Sequence, residues 1–109
     1  MQKQKNIHVV IDRPLGSVHP KHPNIVYEVN YGYIPNTVAG DGEEQDVYVL
    51  GVDHAIEEFD GVLIAVIVRE DDVEEKWVAA PPNTKFSDSE ILEKVKFQEQ
   101  YFSVKLVRK

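Results

Sequence analysis

The chain has 109 residues, of which 42% are hydrophobic and 28% are charged, so it is long enough for one core and differs in composition from disordered proteins. Its net charge of -7 argues against a nucleic-acid partner, because neutralising phosphates requires clustered Lys and Arg, whereas it is compatible with cation binding. The absence of cysteine excludes a disulfide framework and a thiolate zinc site.

The chain shows no internal repeat, low-complexity tract or linker, which predicts a single domain over residues 1–109. The first residues, MQKQKNIHVV, lack the apolar segment of a signal peptide. The longest apolar run, Val62 to Val68, is too short to cross a bilayer. We therefore expect a cytoplasmic protein without a membrane partner.

The first half of the chain predicts short strands separated by polar turns. Ile7 to Ile11 is β-branched and apolar, as in a strand. The proline-rich segment RPLGSVHPKHPN, residues 13–24, predicts an irregular loop. Strands are predicted again for Ile25 to Tyr33, where apolar and polar residues alternate loosely, and for Asp46 to Gly51.

The second half predicts two more strands and one helix. Gly61 to Arg69 is almost continuously apolar, and Lys76 to Ala80 is stopped by two prolines. Ser87 and Glu90 have the spacing of a capping box and begin a helical pattern. The tail after that helix predicts either a last strand or an extension of the helix. This order favours a mainly β, α+β fold: a small Greek-key barrel with a packed C-terminal helix.

The acidic segment DGEEQD, residues 41–46, allows two interpretations. Three carboxylates, those of Asp41, Glu43 and Asp46, would repel one another unless a divalent cation lay among them, and oxygen ligands suit Mg²⁺ or Mn²⁺. Alternatively, Asp41–Gly42 forms a type I′ hairpin turn and the acids point into solvent.

A second acidic segment, REDDVEEK, follows the long apolar strand at residues 69–76. By itself it predicts a solvated turn. Two acidic turns at the same end of one barrel, however, would share metal ions between them. Such an arrangement is the one required for transfer of a phosphoryl group to water.

Tyrosines and histidines are less informative. The tyrosines of NYGYI and FQEQYF are either core residues or hydroxyl donors to a ligand. His19 and His22 have HxxH spacing, but the intervening prolines exclude the helix that would align them, so we interpret both as loop residues. Neither His8 nor His54 indicates metal ligation.

Four segments together resemble the soluble inorganic pyrophosphatases, the magnesium-dependent family with an OB-barrel fold. They are NYGYIP at residues 30–35, DGEEQD at 41–46, EEKWVAAP at 74–81 and FQEQYF at 97–102. The second resembles the family signature Asp-Gly-Asp-Pro-x-Asp. The resemblance implies an OB-like barrel, hydrolysis of pyrophosphate or a related phosphorylated small molecule, Mg²⁺ or Mn²⁺ as cofactor, and a homo-oligomer.

The resemblance also implies roles for individual residues. The implied metal ligands are Asp41, Asp46, Asp72 and Glu74. The residues implied to activate water are Asp46 and Glu43. The implied substrate contacts are Lys21, Tyr31, Lys76 and Tyr101.

Several positions depart from the family pattern. Glu43 and Arg69 stand where the family has aspartates, and Phe102 stands where it has a lysine. The family's phosphate-binding arginine before NYGYI has no counterpart, and Arg13 cannot be assigned to that role by its position. Three alternatives follow: a pyrophosphatase of reduced activity, a non-catalytic module that binds metal and a phosphorylated ligand, or a structural domain with solvated turns.

Overall fold

The computed structural model describes residues 4–71 and 74–109. Its elements are β1 (Asn6–Arg13), β2 (Asn30–Ile34), β3 (Gln45–Val49), β4 (Glu58–Arg69), β5 (Glu75–Ala80), α1 (Asp88–Glu99) and β6 (Val104–Arg108). None of the helices formed by these residues has the length and apolarity needed to cross a bilayer.

The strands form a 6-stranded sheet in the order β1-β2-β3-β5-β4-β6, and an additional pairing of β1 with β4 closes a barrel. Strand β4 is long enough for three antiparallel partners: residues from Glu58 to Val62 pair with β1, residues from Val62 to Val68 pair with β5, and residues from Ala65 to Arg69 pair with β6. Strands β3 and β5 are parallel, with Val47 opposite Trp77. The predicted mainly β barrel with a C-terminal helix is confirmed.

Two apolar clusters result because successive strand side chains point to opposite faces. Val47 and Val49 belong to a cluster that also holds the buried side chains of β1, such as Val9. Tyr48, between them, belongs to the second cluster, which includes Val95 of α1. Helix α1 therefore covers the outer face of the barrel beside Tyr48.

The predicted helix start is confirmed in detail. Ser87 Oγ accepts the backbone N–H of Glu90 at 3.1 Å, and Glu90 Oε1 accepts the backbone N–H of Ser87 at 2.9 Å. The helix ends at Glu99, so Phe102 lies beyond it, and the tail forms strand β6.

The predicted strand from Ile25 to Tyr33 is only partly present, because β2 begins at Asn30. The preceding segment instead pairs with its own loop. Tyr27 N–H donates to the carbonyl of Ser17 at 2.9 Å, and Gly16 N–H donates to the carbonyl of Tyr27 at 2.7 Å. Tyr27 is fully buried, so the apolar pattern of this segment reflects burial of a loop and not a strand of the sheet.

Candidate active site

A cavity of about 550 Å³ opens between β3, β5, the end of β4 and the loop after β1. Charged or ionisable side chains dominate its wall: Arg13, His19, Asp46, Arg69, Glu74 and Lys76. The cavity therefore combines carboxylates, which can hold cations, with cations that can hold an anion.

The carboxylates from the two acidic segments meet at Lys76. Its Nζ lies 2.6 Å from Asp46 Oδ2 and 3.0 Å from Glu74 Oε2. The parallel pairing of β3 with β5, which sets Val47 opposite Trp77, brings Asp46 beside Lys76. The side chain of Lys76 is only 6% exposed, so its charge is compensated by these two carboxylates.

Arg69 is a second buried cation in the cavity. Its guanidinium donates to Glu99 from Nε at 3.0 Å and from NH2 at 2.7 Å, and from NH1 to Glu74 at 2.8 Å. Burial alone would lower the pKa of Arg69, but the hydrogen bonds and charge of Glu99 raise it above its ordinary value. The guanidinium also lies 3.6 Å from the ring centroid of Phe102. Two departures from the family pattern, Arg69 and Phe102, thus form one contact.

Asp41 lies on an exposed turn next to these carboxylates. Its Oδ1 accepts the backbone N–H of Glu43 at 3.0 Å. That hydrogen bond is the main reason that the pKa of Asp41 is lowered, and the Glu74 side chain and the charge of Lys76 lower it further. The Glu43 side chain is exposed and has no hydrogen bond to another described residue.

The predicted type I′ turn does not form. Gly42 has φ of 84°, but Asp41 is not among the residues with positive φ, and a type I′ turn requires both. Instead, Gly42 N–H donates to the carbonyl of Ala39 at 3.0 Å, and Ala39 N–H donates to the carbonyl of Glu43 at 2.7 Å. The segment is a longer loop between the paired strands β2 and β3.

The tyrosines predicted to contact substrate both line the cavity. Tyr31 is 5% exposed, and burial, reinforced by the charge of Asp46, raises its pKa well above the ordinary value, so its hydroxyl stays protonated. Tyr101 is 59% exposed at the rim. Lys21 is exposed on the loop between His19 and His22, and Asp72 lies outside the described residues.

Sequence reasoning missed one whole wall of the cavity, formed by Arg13, His19 and His22. Arg13 NH1 donates to Tyr27 Oη at 2.5 Å, and its guanidinium lies 5.7 Å from the ring centroid of Tyr31. Arg13 and Tyr31 are register partners between β1 and β2. A prediction of strand pairing would therefore have been the signal that placed Arg13 near the site.

The donor set suits a hard dication in its chemistry, although the described residues contain no preassembled group of metal-ligating side chains. Asp46 and Glu74 have side-chain exposures of 32% and 26%. One oxygen of each carboxylate, Asp46 Oδ2 and Glu74 Oε2, contacts a protein cation. The partial exposure of both side chains leaves their carboxylates accessible to a further cation.

A family model described as Inorganic pyrophosphatase matches residues 2–102. A comparison with curated protein sequences gave no match. The fold is similar to crystal structures of inorganic pyrophosphatases from Ehrlichia chaffeensis (22% identity, TM-score 0.74, covering 99% of this chain and 88% of that chain) and Thermus thermophilus (18%, 0.61, 98% and 83%). It is also similar to the Helicobacter pylori inorganic pyrophosphatase (21%, 0.63, 98% and 87%). The chain belongs to the inorganic pyrophosphatase family.

Proposed function

We propose that this chain, a pyrophosphate hydrolase by family membership, splits inorganic pyrophosphate into two phosphates with water as nucleophile and Mg²⁺ as cofactor. The observation that supports this most directly is the contact of Lys76 with both Asp46 and Glu74 inside one cavity. Carboxylates and cations are both needed there, because a polyanionic substrate repels a nucleophile until its charge is neutralised.

Pyrophosphatases of this family are generally metal-dependent, and we propose Mg²⁺ here, with Mn²⁺ as the alternative. Asp41, Asp46 and Glu74 would hold the ion through their carboxylate oxygens, and Asp72 is proposed as a further ligand. Bound Mg²⁺ supplies charge neutralisation for phosphate oxygens and a lowered pKa for water.

The chain's own residues have distinct proposed roles. Asp46 accepts the proton of the attacking water, since it faces the cavity, and the exposed Glu43 is the alternative base. The protonated hydroxyl of Tyr31 and the ammonium of Lys76 donate hydrogen bonds to phosphate oxygens. Tyr101 donates from the rim, and Lys21 reaches the substrate from its loop.

The test is phosphate release from inorganic pyrophosphate with and without Mg²⁺. Asp46→Asn is expected to lower kcat by about 100-fold or more. Asp53→Asn is the matched control, because the side chain of Asp53 is fully exposed and pairs with His54 outside the cavity. Release that is independent of Mg²⁺, or unchanged in Asp46→Asn, would refute the proposed mechanism.

The contact of Arg69 with Glu74 supports a second candidate, a binding module that holds a phosphorylated ligand and metal without turnover. At 2.8 Å, the guanidinium already compensates one carboxylate of the proposed metal site. This candidate predicts heat of binding on calorimetric titration with pyrophosphate and no phosphate release above that of buffer. The hydrolase predicts heat of binding and also phosphate release.

We extend the proposal to a cytoplasmic location and a homo-oligomer, on the strength of the family resemblance. Light scattering on the purified chain tests assembly, with a mass of one 12.4 kDa chain as the contradicting result. Fractionation of cells that produce the chain tests its location.

A further inference from the structure

Three side chains that line the cavity have no role in the mechanism above. They are His19 and His22 on the loop after β1, together with Arg13 at the end of β1. Each of these side chains can donate a hydrogen bond to an anion, and none of them is a carboxylate. They therefore add hydrogen-bond donors to a cavity that also holds Asp46 and Glu74.

His19 is held in place by packing. Its ring stacks on Tyr27 with a centroid distance of 6.2 Å and an interplanar angle of 11°. Tyr27 is itself fully buried and donates to Gln98 Oε1 at 2.8 Å. The backbone N–H of His19 donates to the carbonyl of Ile25 at 2.9 Å. His19 is therefore more constrained than a surface-loop side chain, which suits a preorganised binding group.

The hydrogen bond of the His19 ring determines which ring nitrogen is the donor. The backbone N–H of Lys21 donates to His19 Nδ1 at 3.0 Å. Nδ1 is consequently the acceptor, and the neutral ring carries its proton on Nε2. Nε2–H has no hydrogen-bond partner among the described residues. It can donate to an anion whether the ring is neutral or protonated.

His22 and Arg13 complete the same wall. The ring centroids of His22 and His19 are 4.8 Å apart. Partial burial lowers the pKa of His19, and the positive charges of Arg13, His22 and Lys21 lower it further. An anion bound among these groups would offset the repulsion between their positive charges.

We infer that His19 and His22, together with Arg13, bind one phosphoryl group of the substrate in this cavity. The inference rests on the proposed function for the identity of the ligand. It gives the substrate a second anchor made of protein donors. Binding at this anchor does not require a metal ion.

The test is calorimetric titration with inorganic pyrophosphate in the presence of a chelator, which measures binding without turnover. In His19→Asn, the side-chain amide can place an acceptor near the position of Nδ1 but provides no donor at the position of Nε2. In His19→Gln, the longer side chain can place its amide N–H at the position of Nε2. His19→Asn is therefore expected to weaken binding about tenfold or more, and His19→Gln less. His22→Asn is expected to weaken binding in the same direction as His19→Asn, and His54→Gln, outside the cavity, is the control.

The pattern of results separates this inference from the proposed function. If His19→Gln binds pyrophosphate more weakly than His19→Asn, the ring only stabilises the conformation of the loop, and the inference is wrong. Wild-type affinity in the double variant His19→Asn, His22→Asn also overturns it, as does a wild type that binds pyrophosphate with Mg²⁺ but not in the presence of the chelator. If the wild type binds pyrophosphate but releases no phosphate, only the hydrolase proposal is overturned.

Discussion

The guanidinium of Arg69 lies 3.6 Å from the ring centroid of Phe102 and donates two hydrogen bonds to the carboxylate of Glu99. These residues come from the end of β4 and from the end of α1 and the turn after it. An arginine can be both stacked and bidentate because its guanidinium is planar and offers donors along its edge. The contact joins the end of the helix to the barrel at the wall of the candidate active site.

Replacing Arg69 by Met is expected to destabilise the fold strongly. Glu99 has a side-chain exposure of 3%, so the change leaves a buried carboxylate without its cation. Such losses cost about 3–5 kcal/mol in the free energy of unfolding, measurable by urea denaturation. Arg108→Met is the control, since Arg108 pairs with Asp88 at the surface and should contribute about 1 kcal/mol or less. Equal effects of the two changes would contradict the assigned role of Arg69.

Replacing Lys76 by Met is expected to lower kcat for pyrophosphate hydrolysis by about 10²–10³-fold, because the variant lacks the donor that we propose for the phosphate oxygens. Phosphate release measures the effect, and a thermal melt checks that the variant is folded. Lys105→Met serves as the control, since Lys105 is exposed on β6. An unchanged kcat in folded Lys76→Met would remove Lys76 from the mechanism.

Added Mg²⁺ is expected to stabilise the fold. At a concentration of roughly 100 times its Kd, a ligand that binds only the folded state adds about 2.7 kcal/mol to the free energy of unfolding. The double change Asp46→Asn, Glu74→Gln should abolish the stabilisation, and Asp53→Asn should retain it. Thermal melting without substrate makes this measurement independent of activity. A melting temperature that ignores Mg²⁺ would argue against the proposed cofactor.

The contacts of His8 predict a pH-dependent link between β1 and β4. His8 Nδ1 lies 2.7 Å from Asp60 and Nε2 lies 3.1 Å from Glu58. The hydrogen bond with Asp60, with further help from both negative charges, raises the pKa of His8 above its ordinary value of 6.5. A group whose pKa is raised by folding stabilises the fold fully below its unfolded pKa, and this stabilisation is lost as the pH rises through the folded pKa.

The stability difference between the wild type and His8→Gln should therefore shrink as the pH rises from about 5 to about 8. Denaturant melts at several pH values measure it. Because the pair is exposed, added salt should reduce the difference at low pH. A difference that grows with pH would contradict the assigned contacts.

Gly32→Ala is expected to disrupt the pairing of β2 with β1. A Cβ at this position would clash with the backbone carbonyl of Val10 and lie 2.8 Å from Ile11 Cα. Backbone atoms of a paired strand cannot move aside cheaply, so we expect a loss of about 3 kcal/mol or more. At Gly42 an added Cβ would meet no atom within 4 Å, and the strain comes only from the φ of 84°. Gly42→Ala should therefore lower the free energy of unfolding by about 1–2 kcal/mol. Denaturant melts of both variants check this order.

The sequence by itself determined the elements with strong local signals. Ser87 and Glu90 satisfy each other's backbone groups three residues apart, so the helix start could be predicted without knowing the rest of the fold. The long strand β4 was recognisable for the same reason, since its apolar run is continuous. Ile25 misled the prediction because an apolar residue in a buried loop has the same local pattern as one in a strand.

For the candidate site, the sequence supplied the acidic residues and Lys76, and only the tertiary structure decided their partners. Arg69 reaches Glu99 across 30 positions of the chain. Arg13 and His19 line the cavity because β1 pairs with β2, which sets Arg13 opposite Tyr31. Local spacing carries no information about such pairs, since strand register and helix docking determine which distant charges meet. A buried charge then requires a partner, because the desolvation free energy of an unpaired ion exceeds the stability of most folds.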